Sequence, residues 1–187
     1  MNENENERVL LVARLGHPIV RSPAASLDPA QIVSEPVQRL IDQMAATMRA
    51  YDGVGIAGTQ VHAALRIALI EVRGAQPRYP RAPEIPLTVL INPEIVERSA
   101  ETVEDWEGCL SVPGLRGLVP RARALKVRAL DRSGEPVELE VEDFFARVVQ
   151  HECDHLEGKV YLDRMADLRT LSFQEEFLKY GKNQPPR

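Results

Sequence analysis

The sequence predicts an α+β fold with antiparallel or mixed sheets. Three observations support this fold class: a helix-spaced apolar series over residues 34–48, short segments rich in branched residues over 65–141, and a second helical series from Asp143. A helix, then many strands, then a helix is an α+β order, because α/β folds alternate strands with helices.

The first predicted element is a helix over residues 34–48. Its apolar side chains recur at helical spacing, Pro36 stands in the first turn where proline is tolerated, and Gly53 lies just beyond the end. The preceding apolar residues 9–15 predict a short segment packed on the body of the domain.

The middle of the chain predicts strands. Residues 65–72 and 87–91 are rich in branched side chains and too short for helices. Residues 124–130 and 136–141 flank a turn that contains a glycine, which predicts a hairpin. The proline-rich residues 74–86 predict an irregular loop.

Two more helices are predicted towards the C-terminus. Asp143 is expected to cap a helix that runs to about Glu157, with Gly158 as its stop. A third, shorter helix is expected over residues 168–180.

Length and composition indicate one globular domain over residues 1–187, with residues 1–8 and 181–187 as flexible tails. Of the 187 residues, 44% are hydrophobic and 27% are charged, which is close to globular averages. The net charge of -5, with arginines scattered among acids, disfavours nucleic-acid binding and favours a small substrate or a peptide. No apolar run approaches the roughly 20 residues that cross a bilayer, so no membrane contact and a cytoplasmic location are expected.

The predicted second helix carries an H-E-x-x-H pattern at His151, Glu152 and His155. Residues four apart on a helix lie one above the other, so both imidazoles can reach one metal ion. Glu152 lies beside that position, which suits a carboxylate that takes a proton from an activated water. The alternatives are a pair of buried histidines satisfied by hydrogen bonds and a chance match. A catalytic site also needs a third protein ligand, which the pattern does not supply.

Two cysteines occur, Cys109 and Cys153, and in a reducing compartment both are expected to stay thiols. Cys153 points to the far side of the predicted helix from His151. Cys109 lies in the segment EGCLS, residues 107–111.

Three segments together resemble the motifs of the peptide deformylases: GVGIAGTQ at residues 53–60, EGCLS at 107–111 and QHECDHLEG at 150–158. They stand in the family's order and at compatible spacing. The resemblance covers most of the chain from the first helix to Asp163, and it implies that the sheets pack around a central, metal-bearing helix with the H-E-x-x-H pattern.

The resemblance implies roles for several residues. Cys109 would be the third metal ligand, beside His151 and His155. Gln60, through its side-chain amide, and Leu110, through its backbone N–H, would stabilise the oxyanion of the reaction. The substrate-binding residues would be Gly55 and Gly108, through their backbones, and Val54, Phe144 and Val148, around the first side chain of the substrate.

The resemblance also implies a charge network around the metal ligands, formed by Glu107, Arg121 and Asp154. Two residues depart from the family pattern. Gly58 stands where a second alanine is usual, and Arg147 stands at a pocket position that is often apolar.

By resemblance, the substrates are N-formylmethionyl nascent peptides, formate is released, and a transient contact with the ribosome is a further expectation. The cofactor would be one divalent metal ion, natively Fe²⁺, which Zn²⁺, Ni²⁺ or Co²⁺ can replace. Three alternatives share the histidines: a metallopeptidase that cleaves internal peptide bonds, an inactive deformylase-like protein that binds peptides, and a purely structural metal site with four protein ligands.

Overall fold

The computed structural model describes residues 8–74, 79 and 82–181, and its elements form an α+β architecture. The α-helices are α1 (Pro29–Ile32), α2 (Glu35–Ala50), α3 (Asp143–Leu156) and α4 (Gln174–Tyr180). The strands are β1 (Gly55–Ala57), β2 (Ile67–Val72), β3 (Ile85–Arg98), β4 (Thr102–Cys109), β5 (Val112–Ala122), β6 (Ala124–Leu130), β7 (Pro136–Glu142) and β8 (Ser172–Phe173).

The strands form two sheets. The larger sheet has the order β1-β2-β3-β6-β7 and the smaller has the order β4-β5-β8. Every pairing between these strands is antiparallel, and the parallel contact in the described part of the chain is an isolated bridge between Ala25 and Leu65. The prediction of an α+β fold with antiparallel sheets is confirmed.

Helix α2 packs one apolar face into a core cluster with β1, β2 and β3. The side chains of Val37, Ile41, Met44 and Met48 are buried on that face, as their spacing predicted. Pro36 lies in the first turn, and the helix ends three residues before Gly53. The predicted helix over residues 34–48 is therefore confirmed, with two more residues at its C-terminal end.

Helix α3 contacts β1, β2, β3, β5, β6 and β7, and it therefore touches both sheets. Its apolar side chains join a second core cluster that includes Val148, Val149 and Cys153. Gly158 ends the helix as predicted. Its φ is +72°, and a Cβ there would lie 2.5 Å from the carbonyl oxygen of Arg21, so this position requires glycine.

The predicted cap of this helix was wrong. Glu142 is the N-cap residue, and Asp143 is the first residue of the helix with a φ of +51°. The Asp143 carboxylate accepts a hydrogen bond from Nε of Arg123, 3.0 Å away, and its backbone N–H donates to the carbonyl of Arg123. Asp143 therefore ties the helix start to the preceding strands.

The third predicted helix, over residues 168–180, was only partly right. Leu168–Thr170 forms a single 3₁₀ turn, Ser172–Phe173 pairs with Leu115 and Arg116 of β5, and the helix covers Gln174–Tyr180. The side chain of Asp167 accepts from the N–H of Arg169 and caps the start of the 3₁₀ turn, and the strand Ser172–Phe173 separates this turn from the helix.

The strands over 65–72 and 87–91 and the hairpin over 124–141 are present, and β3 extends far beyond its predicted end. Strands β1, β4 and β5 were not predicted. Of the predicted loop over residues 74–86, Ile85 and Pro86 belong to β3, and residues 75–78, 80 and 81 lie outside the described residues. Most of both predicted tails, residues 1–7 and 182–187, also lies outside them. No helix in residues 8–74 or 82–181 is long and apolar enough to span a membrane.

Candidate metal centre

Three side chains that can bind a metal converge between helix α3 and strand β4. The ligand atoms of Cys109, His151 and His155 all lie within 4.8 Å of one another. The Cys109 Sγ is 3.1 Å from Nε2 of His155, and the two imidazole centroids are 4.9 Å apart. The histidines are one helical turn apart on α3, and Cys109 ends β4.

The surroundings of Cys109 favour the ionised form of its thiol. Burial disfavours its ionised form, but the neighbouring His155 and His151 hold the pKa of this thiol well below its ordinary value. The thiolate is the form of cysteine that binds metals. Cys153 differs, because burial in the apolar core raises the pKa of its thiol to about 12. Both cysteines are free.

His151 is oriented by an acidic neighbour. Its Nδ1 lies 2.8 Å from Oε2 of Glu107 on β4. Burial disfavours the imidazolium, but Cys109 and Glu107 raise the pKa of His151 well above its ordinary value. A carboxylate on one ring nitrogen commonly fixes the orientation of a metal-binding histidine and leaves the other nitrogen for the ion.

The donor set fits a divalent transition metal. Two imidazole nitrogens and one thiolate are ligands that Zn²⁺ and Fe²⁺ accept, and three protein ligands leave a position for water or substrate. A purely structural site would need a fourth protein ligand, and the cluster found among the described residues contains three. Three protein ligands with one open position are typical of catalytic rather than structural sites.

Glu152 lies beside the cluster in a buried position. Its side chain approaches Gly55 of β1, and an added Cβ on this glycine would lie 2.2 Å from Oε1 of Glu152. Burial raises the pKa of Glu152 to about 7. Its Oε2 is buried and has no hydrogen-bond partner among the described residues. A carboxyl group with a pKa near neutrality can both accept and donate a proton at physiological pH.

Gln60 presents its amide to the same cluster. Its Nε2 is 3.5 Å from Sγ of Cys109 and 3.2 Å from Oγ of Ser111, and its Oε1 accepts from the N–H of Ala57 at 2.9 Å. Gln60 lies in a short 3₁₀ helix, Gly58–Val61, and is almost completely buried. The sequence did not predict the hydrogen bonds of the Gln60 side chain with Ala57 and Ser111. Leu110 follows Cys109, and its side chain lies against Gly53.

A cavity adjoins the cluster. The predicted substrate-binding residues all line it: Val54, Gly55, Gly108, Phe144 and Val148. Further lining residues are Gly53, Gln60, Tyr79, Glu107, Cys109, Leu110, Arg147, His151 and Glu152. The structure therefore brings the predicted site residues together around one cavity, and His155 contacts Cys109 in its lining.

The sequence did not indicate Tyr79 as a site residue. Its ring packs on Phe144, with 5.1 Å between centroids. Tyr79 lies in the proline-rich stretch before β3, where no periodic pattern marks a residue as inward-facing. No signal in the sequence could have found it.

The charge network of Glu107, Arg121 and Asp154 is present and buried. Arg121 donates from Nε to Oε1 and from Nη2 to Oε2 of Glu107, at 2.8 and 2.9 Å, and from Nη1 to Oδ2 of Asp154 at 2.5 Å. Burial disfavours the ionised form of Glu107, but hydrogen bonds from Arg121 and His151 hold its pKa well below the ordinary carboxyl value. Arg164 also pairs with Asp154.

The chain is similar to known proteins over most of its length. The family model described as polypeptide deformylase matches residues 9–170. The peptide deformylase 2 of Nostoc sp. is 45% identical over 171 residues, which is 91% of this chain and 94% of that protein. The peptide deformylase 1 of Nitrosomonas europaea is 42% identical over 164 residues, which is 88% of this chain and 92% of that protein.

The chain is also similar to solved structures of peptide deformylases. The class I type b peptide deformylase from Acinetobacter baumannii, bound to Met-Ala-Ser, is 44% identical with a TM-score of 0.82, and the match covers 85% of this chain and 99% of that one. The peptide deformylase from Thermotoga maritima is 33% identical with a TM-score of 0.75, and the match covers 86% of this chain and 99% of that one.

Proposed function

The chain belongs to the polypeptide deformylase family, and from this membership we propose how its cavity carries out the reaction. The enzyme removes the N-formyl group from the amino terminus of polypeptides by metal-dependent hydrolysis, and formate is released. The observation that carries the proposal is the convergence of Cys109, His151 and His155 beside the buried carboxyl group of Glu152.

We assign the metal ligands as Cys109, His151 and His155, which makes α3 the central metal-bearing helix of the fold. When bound, the ion supplies a Lewis acid for the formyl carbonyl and lowers the pKa of a water. The low pKa of the Cys109 thiol and the contact of Glu107 with Nδ1 of His151 support this assignment.

Glu152 is assigned as the acid and base. Its carboxylate takes a proton from the attacking water and passes it to the amine nitrogen as the C–N bond breaks. The Oε2 of Glu152, which has no hydrogen-bond partner among the described residues, supports this role, as does a pKa of about 7. A base works best when its pKa lies near the operating pH.

Gln60 and Leu110 are assigned to the oxyanion of the tetrahedral intermediate. The Gln60 amide is held near Cys109 because the N–H of Ala57 fixes its oxygen, and its nitrogen lies 3.5 Å from Sγ of Cys109. In this proposal the formyl oxygen binds next to that nitrogen. The N–H of Leu110 is the second donor in this proposal. Each such donor is typically worth about 10²–10³-fold in kcat.

We propose that the substrate lies extended along the cavity, with hydrogen bonds to the N–H of Gly55 and the carbonyl of Gly108. Extended peptides add to strands through their backbone groups in this way. Val54, Phe144 and Val148 surround the first side chain, for which methionine is the expected residue. The Met-Ala-Ser bound to the A. baumannii relative is the product that such a substrate would leave.

The natural substrates in this proposal are N-formylmethionyl nascent peptides, which the enzyme meets in the cytoplasm during a transient contact with the ribosome. The native metal is proposed to be Fe²⁺, with Zn²⁺, Ni²⁺ or Co²⁺ as substitutes, because a His₂Cys set accepts all four ions. Metal analysis after anaerobic purification tests the identity of the ion. Co-sedimentation with ribosomes that carry nascent chains tests the contact.

The test of the reaction is formate release from formyl-Met-Ala-Ser. We expect release by the metal-loaded protein, none after the metal is removed with a chelator, and recovery when a divalent ion is added back. Tight binding of the peptide without formate would favour a peptide-binding protein instead, and cleavage of casein would favour a metallopeptidase.

A further inference from the structure

The guanidinium of Arg147 is buried one helical turn before His151 on α3. The residue is only 6% exposed. Its Nη1 donates to Oε1 of Glu107 and to the carbonyl of Val119, both at 2.8 Å, and its Nη2 donates to the carbonyl of Val103 at 2.6 Å. A buried guanidinium with three short hydrogen bonds is held in one orientation, because each lost bond would leave a buried polar group unsatisfied.

Arg147 and His151 bind the same carboxylate. Arg147 contacts Oε1 of Glu107, and the Nδ1 of His151 is 2.8 Å from Oε2. Arg121 contacts both oxygens from β5. The position of the Glu107 carboxylate, and with it the angle of the His151 ring, therefore depends on two guanidinium groups and not on Arg121 alone.

The metal ligands come from two separate parts of the fold. Cys109 ends β4, and both histidines lie on α3. Arg147 is a residue of α3, but its hydrogen bonds go to Val103, Asp105 and Glu107 on β4 and to Val119 on β5. Its side chain therefore joins the helix that carries the histidines to the strand pair that carries the cysteine.

We propose that Arg147 is a positioning residue for the metal centre and acts through Glu107 on His151. The inference rests on the proposed function, because it takes Cys109, His151 and His155 as the metal ligands. Removal of a hydrogen-bond partner that orients a metal ligand typically lowers metal affinity or activity by about 10–100-fold. An apolar residue here would fill the space but leave Glu107 with fewer donors and His151 less constrained.

The first experiment measures the affinity of the purified protein for Zn²⁺ by competition with a chromophoric chelator, with the fold checked by circular dichroism. We expect Arg147→Leu to weaken zinc binding by about 10–100-fold. Arg147→Lys should recover only part of the affinity, since one ammonium cannot reproduce the fork of a guanidinium. Zinc affinity equal to wild type in either folded variant would overturn the proposal.

A double-mutant cycle tests whether the effect passes through Glu107. Glu107→Gln should weaken zinc binding by itself, and adding Arg147→Leu should weaken it little further, because coupled residues are not additive. Fully additive losses would contradict an action through Glu107.

Gln150→Met is the matched control. Gln150 also joins α3 to β5, through the N–H and carbonyl of Ala122 at 3.1 and 2.9 Å, but it has no bond to Glu107. We expect this variant to lower the melting temperature and to change zinc affinity less than Arg147→Leu does. Equal losses of affinity would mean that Arg147 only holds the helix in place.

Formate release by the wild-type protein distinguishes a failure of the role of Arg147 from a failure of the proposed function. If wild type releases formate and Arg147→Leu binds zinc normally, only the role of Arg147 fails. If the metal-loaded wild type releases no formate, the proposed function fails, whatever the zinc affinities are.

Discussion

Gly55 and Glu152 are packed so closely that no side chain fits between them. A Cβ on Gly55 would lie 2.2 Å from Oε1 and 2.8 Å from the carboxyl carbon of Glu152. Strand β1 thus forms one wall of the position held by the proposed acid and base. Because residue 55 has no side chain, the Glu152 carboxyl group can lie against the strand, and a peptide backbone can also approach it.

The first prediction concerns Gly55→Ala. The added methyl group must displace the Glu152 carboxylate, because Gly55 belongs to a strand paired with β2 and cannot easily move. A displacement of about 1 Å in an active site can cost on the order of 10²-fold, so we expect a loss of that size in kcat with the metal retained. Formate release at matched metal content measures it.

Gly53→Ala is the matched contrast for Gly55→Ala. Its Cβ would meet Leu110 and Met48 at 3.3 Å, which a small shift can relieve. We expect a smaller loss of kcat than for Gly55→Ala. A Gly55→Ala enzyme with wild-type kcat would show that the position of Glu152 is unimportant.

The second prediction concerns the Gln60 amide. Gln60→Glu keeps an oxygen that can accept from Ala57 but removes the amide donors, so we expect kcat to fall by about 10²–10³-fold with a smaller change in KM. Ser111→Ala, which removes an acceptor of the Gln60 amide, should reduce kcat less. Steady-state kinetics on formyl-Met-Ala-Ser would contradict the assignment if kcat of Gln60→Glu stayed within about threefold of wild type.

The third prediction compares the two cysteines. Cys109→Ser replaces a soft thiolate by a poor ligand, so metal affinity should fall by more than the roughly 10–100-fold cost of an outer contact. Cys153→Ser changes a thiol of the apolar core, and we expect lower thermal stability with the metal retained. Metal content after dialysis and the melting temperature measure the two effects, and equal metal retention by the two variants would argue against Cys109 as a ligand.

The fourth prediction concerns acid stability. The pKa of Glu107 is lower in the folded protein than the roughly 4.3 of an unfolded chain, since Arg121 and His151 outweigh the effect of burial. The unfolded state therefore binds more protons as the pH falls, and stability from this carboxylate, complete above about pH 4.3, is lost below it. Urea unfolding of the metal-free protein between about pH 6 and pH 3 should show a steeper loss for wild type than for Glu107→Gln. Parallel curves would contradict this.

Short-range sequence patterns were enough to predict some of the helices and strands. The helix over residues 143–157 and its stop at Gly158 followed from apolar spacing and one glycine, and the hairpin of β6 and β7 followed from two short branched segments. The strands β4 and β5 did not show such a signal. Charged residues interrupt β4, and β5 contains Pro113, Gly114 and Gly117, which usually mark loops.

The candidate site was predictable only in part from the residues themselves. Helical spacing brings His151, Glu152 and His155 together, but Cys109 lies 46 residues before His155 and on another element. Only the family motif linked it to the histidines. The hydrogen bonds of Arg147 depend on Val103 and Val119, which are distant in sequence, so no local pattern could show them.

Formate release by Glu152→Gln tests the central claim most directly. The variant and the wild type are loaded with the same metal to the same content and assayed on formyl-Met-Ala-Ser. Glutamine keeps the size of the side chain but cannot accept the proton of the attacking water, so we predict a loss of about 10²–10⁴-fold in kcat with the metal still bound. A fully metallated Glu152→Gln enzyme with wild-type kcat would contradict the assignment of Glu152 as the acid and base.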